Sequence, residues 1–258
     1  MRGSLTGGAV AAGLGLLCAA LLVGVAPATA AVPFPTGLST SASTMAGPAG
    51  PSPFAGYSQN LLGPLTLTST ITVPTVKCAD KSTWGTQVSL VAVMENQTTD
   101  ATVEDGGGVT VGCTLTGTPV YAPVLCDPSL SGPSSSSAGC EVLADTVLPG
   151  DVVQVTAAAG GGCNETCTAV SATVKDGTES WSESATGSSG SDFDVFVGAS
   201  GGPPLVRFGT VSMSAVAVDG SRFGGVRTNL VGFSGHTLAK ASRFSKGGVF
   251  TVKWVKVS

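Results

Sequence analysis

Charge is scarce in this 258-residue chain: Asp, Glu, Lys and Arg together make up 11% of it, and His236 is the only histidine. With 12 Lys and Arg against 16 Asp and Glu, the net charge is −4. The clustered positive charge that neutralises phosphates is missing, so a nucleic-acid partner is not expected. A Ser-His-Asp triad would have to use His236, which sits in the turn-like Ser234-Gly235-His236-Thr237, and no nucleophile-elbow motif occurs. Gly106-Gly107-Gly108 and Gly160-Gly161-Gly162 lack the Lys-Ser/Thr tail and following helix of a phosphate loop. No cofactor is expected. After residue 30 there is neither sustained helical periodicity nor an apolar run long enough to span a membrane.

What the chain does have begins with a secretory layout. Met1-Arg2 supplies a short basic end, an apolar run extends from Ala9 to Ala26, and Pro27-Ala28-Thr29-Ala30 offers small residues for cleavage after Ala30. A retained anchor is disfavoured, because no basic stop-transfer cluster follows and Gly13, Gly15 and Gly24 interrupt the run. A lipoprotein reading of Cys18 lacks a small residue next to that cysteine. Residues 1–30 are thus read as a signal peptide, 31–56 as a flexible Pro/Ser/Gly-rich leader, and 57–258 as one domain of ample length for a single core. The mature protein is expected to be secreted, extracellular and monomeric.

Six cysteines follow the signal: Cys78, Cys113, Cys126, Cys140, Cys163 and Cys167. An even count in an exported chain argues for disulfides. Nearness along the chain suggests Cys78–Cys113, Cys126–Cys140 and Cys163–Cys167, while other pairings remain open. A zinc site is not expected, since Cys163 and Cys167 have no second Cys/His cluster beside them.

Runs of β-formers recur between Gly, Pro, Ser or Asp clusters: Leu65–Val73, Val88–Met94, Val109–Leu115, Val120–Leu125, Val152–Ala157, Thr168–Val174, Asp192–Val197, Leu205–Val218 and Val249–Val257. Many short strands with frequent turn signals predict an all-β sandwich or barrel. Ser129–Gly139 and Gly198–Pro204 read as loops. Asn96-Gln97-Thr98 and Asn164-Glu165-Thr166 match the N-glycosylation acceptor and read as surface loops.

Several segments, taken in order, resemble the eqolisins, the secreted glutamic peptidases. Tyr57-Ser58-Gln59-Asn60 followed by Thr70-Ile71-Thr72-Val73-Pro74-Thr75 is similar to that family's opening strand, with Ile71 where a Trp would stand. Leu148-Pro149-Gly150-Asp151 resembles its Pro-Gly-Asp turn, Arg207–Met213 its Phe-Gly-Thr-Val strand, and Phe250–Val255 its closing strand. The resemblance covers about residues 57–258. It implies a lectin-like antiparallel β-sandwich of two curved sheets and acid endopeptidase chemistry. In that chemistry a Glu activates a water and a Gln stabilises the oxyanion across a concave sheet.

Carried over residue by residue, the resemblance puts Asp105 at the Gln position, Asp194 at the Glu position, Glu95 at a supporting acid, and Leu125 where the family has a carboxylate. Asp105 and Asp194 across one cleft would share a proton below neutrality. Against this, each Asp is one methylene short, and a misplacement of about 1 Å can cost on the order of 100-fold in rate. Only Trp84, Trp181 and Trp254 remain to wall a cleft. Without the resemblance these acids read as turn or solvated residues: Asp105 precedes Gly106–Gly108 and would open a turn, and Glu95 would end a strand. Two functions are therefore carried forward. One is an acid endopeptidase acting on peptide or protein substrates. The other is a non-catalytic sandwich that binds peptide or glycan on its concave face. A purely structural exported scaffold ranks behind both.

Overall fold

The computed structural model describes residues 54–61, 63–98, 101–126, 140–161, 167–189, 192–199, 205–231 and 236–255, with side chains left out at 95–98, 101–104, 187–189, 192, 199 and 231. The segments read as signal peptide and leader, up to residue 53, lie outside these, as do Cys163, Asn164, the loop 129–139 and residues 200–204. The chain divides into two compact units, Met1–Ala31 and Val32–Ser258.

The regular structure among the described residues of the second unit is β apart from one 3₁₀ turn. Its strands are β1 (Phe54–Asn60), β2 (Thr66–Thr72), β3 (Val76–Lys77), β4 (Gln87–Thr98), β5 (Ala101–Cys113), β6 (Pro119–Cys126), β7 (Cys140–Val142), β8 (Val152–Gly160) and β9 (Cys167–Asp176). They continue as β10 (Glu179–Ser189), β11 (Asp192–Ala199), β12 (Arg207–Phe208), β13 (Val211–Val218), β14 (Ser221–Arg222), β15 (Val226–Val231), β16 (Thr237–Ala241) and β17 (Phe250–Trp254). A single turn of 3₁₀ helix, Lys81–Thr83, is capped by Asp80, whose side chain accepts from the Ser82 N–H.

One half of the sheet runs β10-β9-β8-β2-β13-β17-β16-β15 and the other β1-β11-β4-β5-β6-β7; every strand pair is antiparallel. The halves meet where β15 pairs with β1. The sheet curls so that β5 packs on β8 and β9, and β4 on β2 and β8. This is a sandwich-like architecture, as the spacing of turns and β-formers predicts.

β2 shows why these residues make this layer. Thr66-Leu67-Thr68-Ser69-Thr70-Ile71-Thr72 alternates, so Leu67, Ser69 and Ile71 are buried while the threonines face outward. The strand stops before Pro74, which has no N–H to donate. β8 repeats the pattern with Val153, Val155 and Ala157 inside. These residues meet Leu90, Ala92, Val109, Val111, Phe193 and Val195 from the other half in one core. Burial of this apolar surface is the main driving force for closing the sandwich.

Two disulfides pair as nearness suggested: Cys78–Cys113 and Cys126–Cys140. Cys126 and Cys140 are also register partners on β6 and β7. Cys167 is disulfide-bonded as well. The bonds fit an oxidising environment. Among the described residues, no helix is long and apolar enough to cross a membrane.

Several local expectations change. β1 starts at Phe54, inside the segment read as leader. Gly106–Gly108 form the middle of β5 rather than a turn, Glu95 lies within β4 rather than ending it, and Asn96–Thr98 extend the same strand rather than forming a loop. Each follows from pairing, since cross-strand hydrogen bonds hold residues whose own propensities favour turns. The run Leu205–Val218 breaks at Gly209-Thr210 into β12, paired with β3, and β13.

Candidate functional site: the outer face of the β1–β7 half

Register decides which side chains can meet. On β4, Met94 stands opposite Asp105 of β5 and Phe193 of β11, while Val93 stands opposite Gly106 and Asp194. Partners in an antiparallel ladder share a face, and consecutive residues face opposite sides. Met94 and Phe193 belong to the core between the halves, whereas Val93 belongs to a second cluster on the far side of the sheet. A Cβ on Gly107 would meet Cγ2 of Val174 on β9, which fixes the odd positions of β5 as core-facing. Asp105 is therefore on the core side and Asp194 on the outer side. Both are almost fully buried, 2% and 3% exposed, and neither is without a partner. The proposed pair across one cleft is not brought together, because β5 runs one register position away from what the pairing would need. Leu125, opposite Gly107, is also core-facing and buried.

The outer face is built from alternate positions of five strands. One row reads Ser58, Asp194, Val93, Gly106, Cys126; the next Gly56, Phe196, Val91, Gly108, Val124; the third Phe54, Gly198, Ser89, Thr110, Ala122. Four glycines leave its middle without side chains. At Gly56 a methyl would collide with the Val195 carbonyl and the Cα of Phe196, so no other residue fits there. Phe54 and Phe196 stack with ring centroids 5.0 Å apart. Ser89 and Thr110 hydrogen-bond each other across the ladder at 3.1 Å, which satisfies two buried hydroxyls. Asp194 is the one carboxylate with a described side chain on this face. Beyond it, Asp192, Glu95 and Glu104 occupy one register row on β11, β4 and β5, in step with Asp194. The side chains of Asp192, Glu95 and Glu104 lie outside the described part. Sequence reading named Asp105; in the register it is position 104 that shares a face with Asp194. The signal for that choice is the parity of the hairpin, visible only once β4 and β5 are paired.

No tryptophan lies on the outer face. Trp84, Trp181 and Trp254 pack against the inter-sheet core, with Trp84 Nε1 donating to the Cys78 carbonyl and Trp181 Nε1 to Asp145 Oδ2. His236 is exposed just before β16. Among the described residues, no group of three or more His, Cys, Asp or Glu side chains is placed to hold a metal ion.

Elsewhere, two aspartates titrate away from their ordinary value in opposite directions. The Ser82 hydroxyl and N–H hold the exposed Asp80 carboxyl low, with help from Arg207 at 3.4 Å. Burial, and then the nearby charges of Asp151 and Glu179, push Asp176 up.

No family profile, curated protein or solved structure matches this chain.

Proposed function

We propose that this is an exported β-sandwich protein of eqolisin-like descent that binds an extended, apolar peptide on the outer face of its β1–β7 half and does not cleave it. One observation carries the reading: Asp105 and Asp194, the two carboxylates meant to share a water, lie on opposite faces of the sheet. A general base without an oxyanion partner on its own side loses the electrostatic stabilisation that is the larger part of such catalysis. What remains on the Asp194 side suits peptide better than glycan. Phe54, Phe196, Val91, Val93 and Val124, none more than 5% exposed, make this face apolar, and the hydroxyls of Ser89 and Thr110 already satisfy each other. The glycines let a main chain approach closely. Kinship with the eqolisins is supported by the Pro149-Gly150-Asp151 turn directly before β8, where Asp151 Oδ2 accepts from the Leu148 N–H at 2.6 Å.

The test is a peptide array probed with the purified protein, followed by casein digestion at pH 2–5. Capture of apolar peptides without turnover, weakened at least ten-fold by Phe196→Ala, is the expected result. Digestion that disappears in Asp194→Asn and persists in Asp105→Asn would replace this reading with a second one. That reading is an acid endopeptidase in which Asp194 is the base. The observation favouring it is the backbone register that sets positions 192, 95 and 104 in one row on the face of Asp194. Neither capture nor digestion would leave a structural scaffold.

A further inference from the structure

In the β10–β15 half, the side of the sheet turned away from the core carries hydroxyls and cations but no carboxylate. Register fixes which positions lie there. Gln154 of β8 stands opposite Thr70 of β2 and Lys175 of β9, and Lys175 stands opposite Ser180 of β10. The neighbouring row reads Thr68, Thr156, Thr173 and Ser182, and the last two hydrogen-bond each other at 3.0 Å. Beyond β2, Ser212 of β13 continues the plane between Thr72 and Thr251 of β17. Arg222 of β14 joins it through Ala217, which pairs with both Arg222 and Thr68. Lys240 of β16 and Lys253 of β17 are direct cross-strand partners, two positions along from Thr251 on the same side. All four cations are exposed. The acids of these strands, Asp176, Glu179 and Glu183, have the core-side parity: Asp176 stands opposite Val153 and Glu179, and Glu183 opposite Ala172.

We propose that this face docks a carboxylate-bearing polysaccharide, a polyuronate strand laid across β9, β8, β2, β13 and β17. Charge selects an anion. Lys240 and Lys253 oppose each other directly, and none of the four cations forms an ion pair among the described residues. Like charges in that position destabilise a ladder, and a bound anion offsets the cost. The segregation is visible along the chain as well: after Asp194 the only acid is Asp219, whereas most of the Lys and Arg lie there. Chemistry selects a sugar polymer. Ser and Thr hydroxyls and the Gln154 amide both donate and accept, as sugar hydroxyls do. Trp181 and Trp254 stand opposite the core residues Val174 and Ala239, so they offer this plane no platform for stacking bases. Lys175 and Lys253 are four strand spacings apart, about 19 Å across the ladder. That density suits one carboxylate per sugar and falls far below the one charge per roughly 1.7 Å of a nucleic-acid duplex. This face is not the Asp194 face, and the inference does not rest on the peptide-binding reading.

The test is affinity electrophoresis and titration calorimetry of the purified protein at about 50 mM salt, where exposed charges are weakly screened. The probes are polygalacturonate, neutral dextran, polyglutamate and an oligothymidylate. Polygalacturonate should retard the protein and dextran should not. Lys240→Gln with Lys253→Gln should weaken polygalacturonate binding at least ten-fold, and Lys175→Gln about three-fold. Lys81→Gln, on the 3₁₀ turn outside this plane, should leave binding unchanged. The double Gln variant should keep or raise the unfolding midpoint, because it removes a like-charge opposition. Lys240→Arg with Lys253→Arg, which keeps both charges, should bind like the parent, so that loss of binding is not mistaken for loss of fold. No retardation by polygalacturonate would overturn the proposal, as would a double Gln variant that binds like the parent. Equal retardation by dextran would remove the role of charge. Polyglutamate or oligothymidylate binding as tightly as polygalacturonate would replace the sugar with an acidic protein or a nucleic acid as the partner.

Discussion

The two halves of this sandwich solve burial differently. In the β10–β15 half, β2 and β8 alternate, with one face packed and the other set mostly with Thr and Gln beside Val152 and Ala158. In the β1–β7 half, β11 reads Asp-Phe-Asp-Val-Phe-Val-Gly-Ala, and residues 193–198 are buried on both faces. Residues 91–94 of β4 and 105–113 of β5 are buried in the same way. Strands covered on both sides read as continuous apolar runs, those covered on one side as alternation. The difference shows that one sheet belongs to two layers of packing, only one of which lies between the halves.

The sharpest way to break that comparison is to remove one ring from each layer. Phe193 faces the inter-sheet core and Phe196 the outer cluster. Phe193→Ala and Phe196→Ala should each lower stability by about 3–5 kcal/mol in guanidinium unfolding. A Phe196→Ala cost below about 1 kcal/mol would mean that the outer face is not a packed layer in solution. Next in size are the disulfides. Cys78–Cys113 closes a separation of 35 residues and Cys126–Cys140 one of 14. Replacing both cysteines of a pair by Ser should cost about 4 kcal/mol for the first and about 3 kcal/mol for the second, on loop entropy. The reverse order would show that the short bond pins the outer layer and does more than close a loop.

Smaller is an expected gain in the other half. Ala215 sits at φ 51° in the bulge where β13 slips against β2. A left-handed conformation costs an alanine more than a glycine. Ala215→Gly should therefore raise stability by about 0.5 kcal/mol after the extra chain entropy of glycine is subtracted, as a shift in the unfolding midpoint.

Smallest is a pair of opposite pH responses. Asp80 is held low, so its contribution is present above the ordinary aspartate value of 3.8 and is lost as pH falls through its folded value. Asp176 is held high, so it destabilises the fold above its folded value, and that penalty is relieved as pH falls. Asp176→Asn should raise the midpoint at pH 7 and leave it unchanged below about pH 3, whereas Asp80→Asn should lower it at pH 7 only. Equal effects of either substitution at both pH values would remove the assignment.

Most of the strand layout was legible because Leu67, Ile71, Val153 and Val155 mark alternate positions, and because Pro74 and Gly150 punctuate them. β10 escaped notice because Glu179, Ser180, Ser182, Glu183 and Ser184 are exposed on an edge strand with little apolar content. Gly106–Gly108 carry no side chains, so nothing in the local pattern reveals a strand there. The candidate site was less legible for one reason. Whether residue 104 or residue 105 shares a face with Asp194 depends on the β4–β5 register, and a one-residue slip exchanges the two faces. Composition cannot fix that register through a run of three glycines.

β1 has a consequence for how this chain is made. It is the earliest of the described strands in the chain, yet it sits between β11 and β15, and Tyr57 Oη donates to the Ser242 carbonyl, 185 positions onward. The seam of the curled sheet therefore cannot close until nearly the whole polypeptide has been synthesised. Contacts that distant make assembly slow, so the seam is among the last parts of the fold to form.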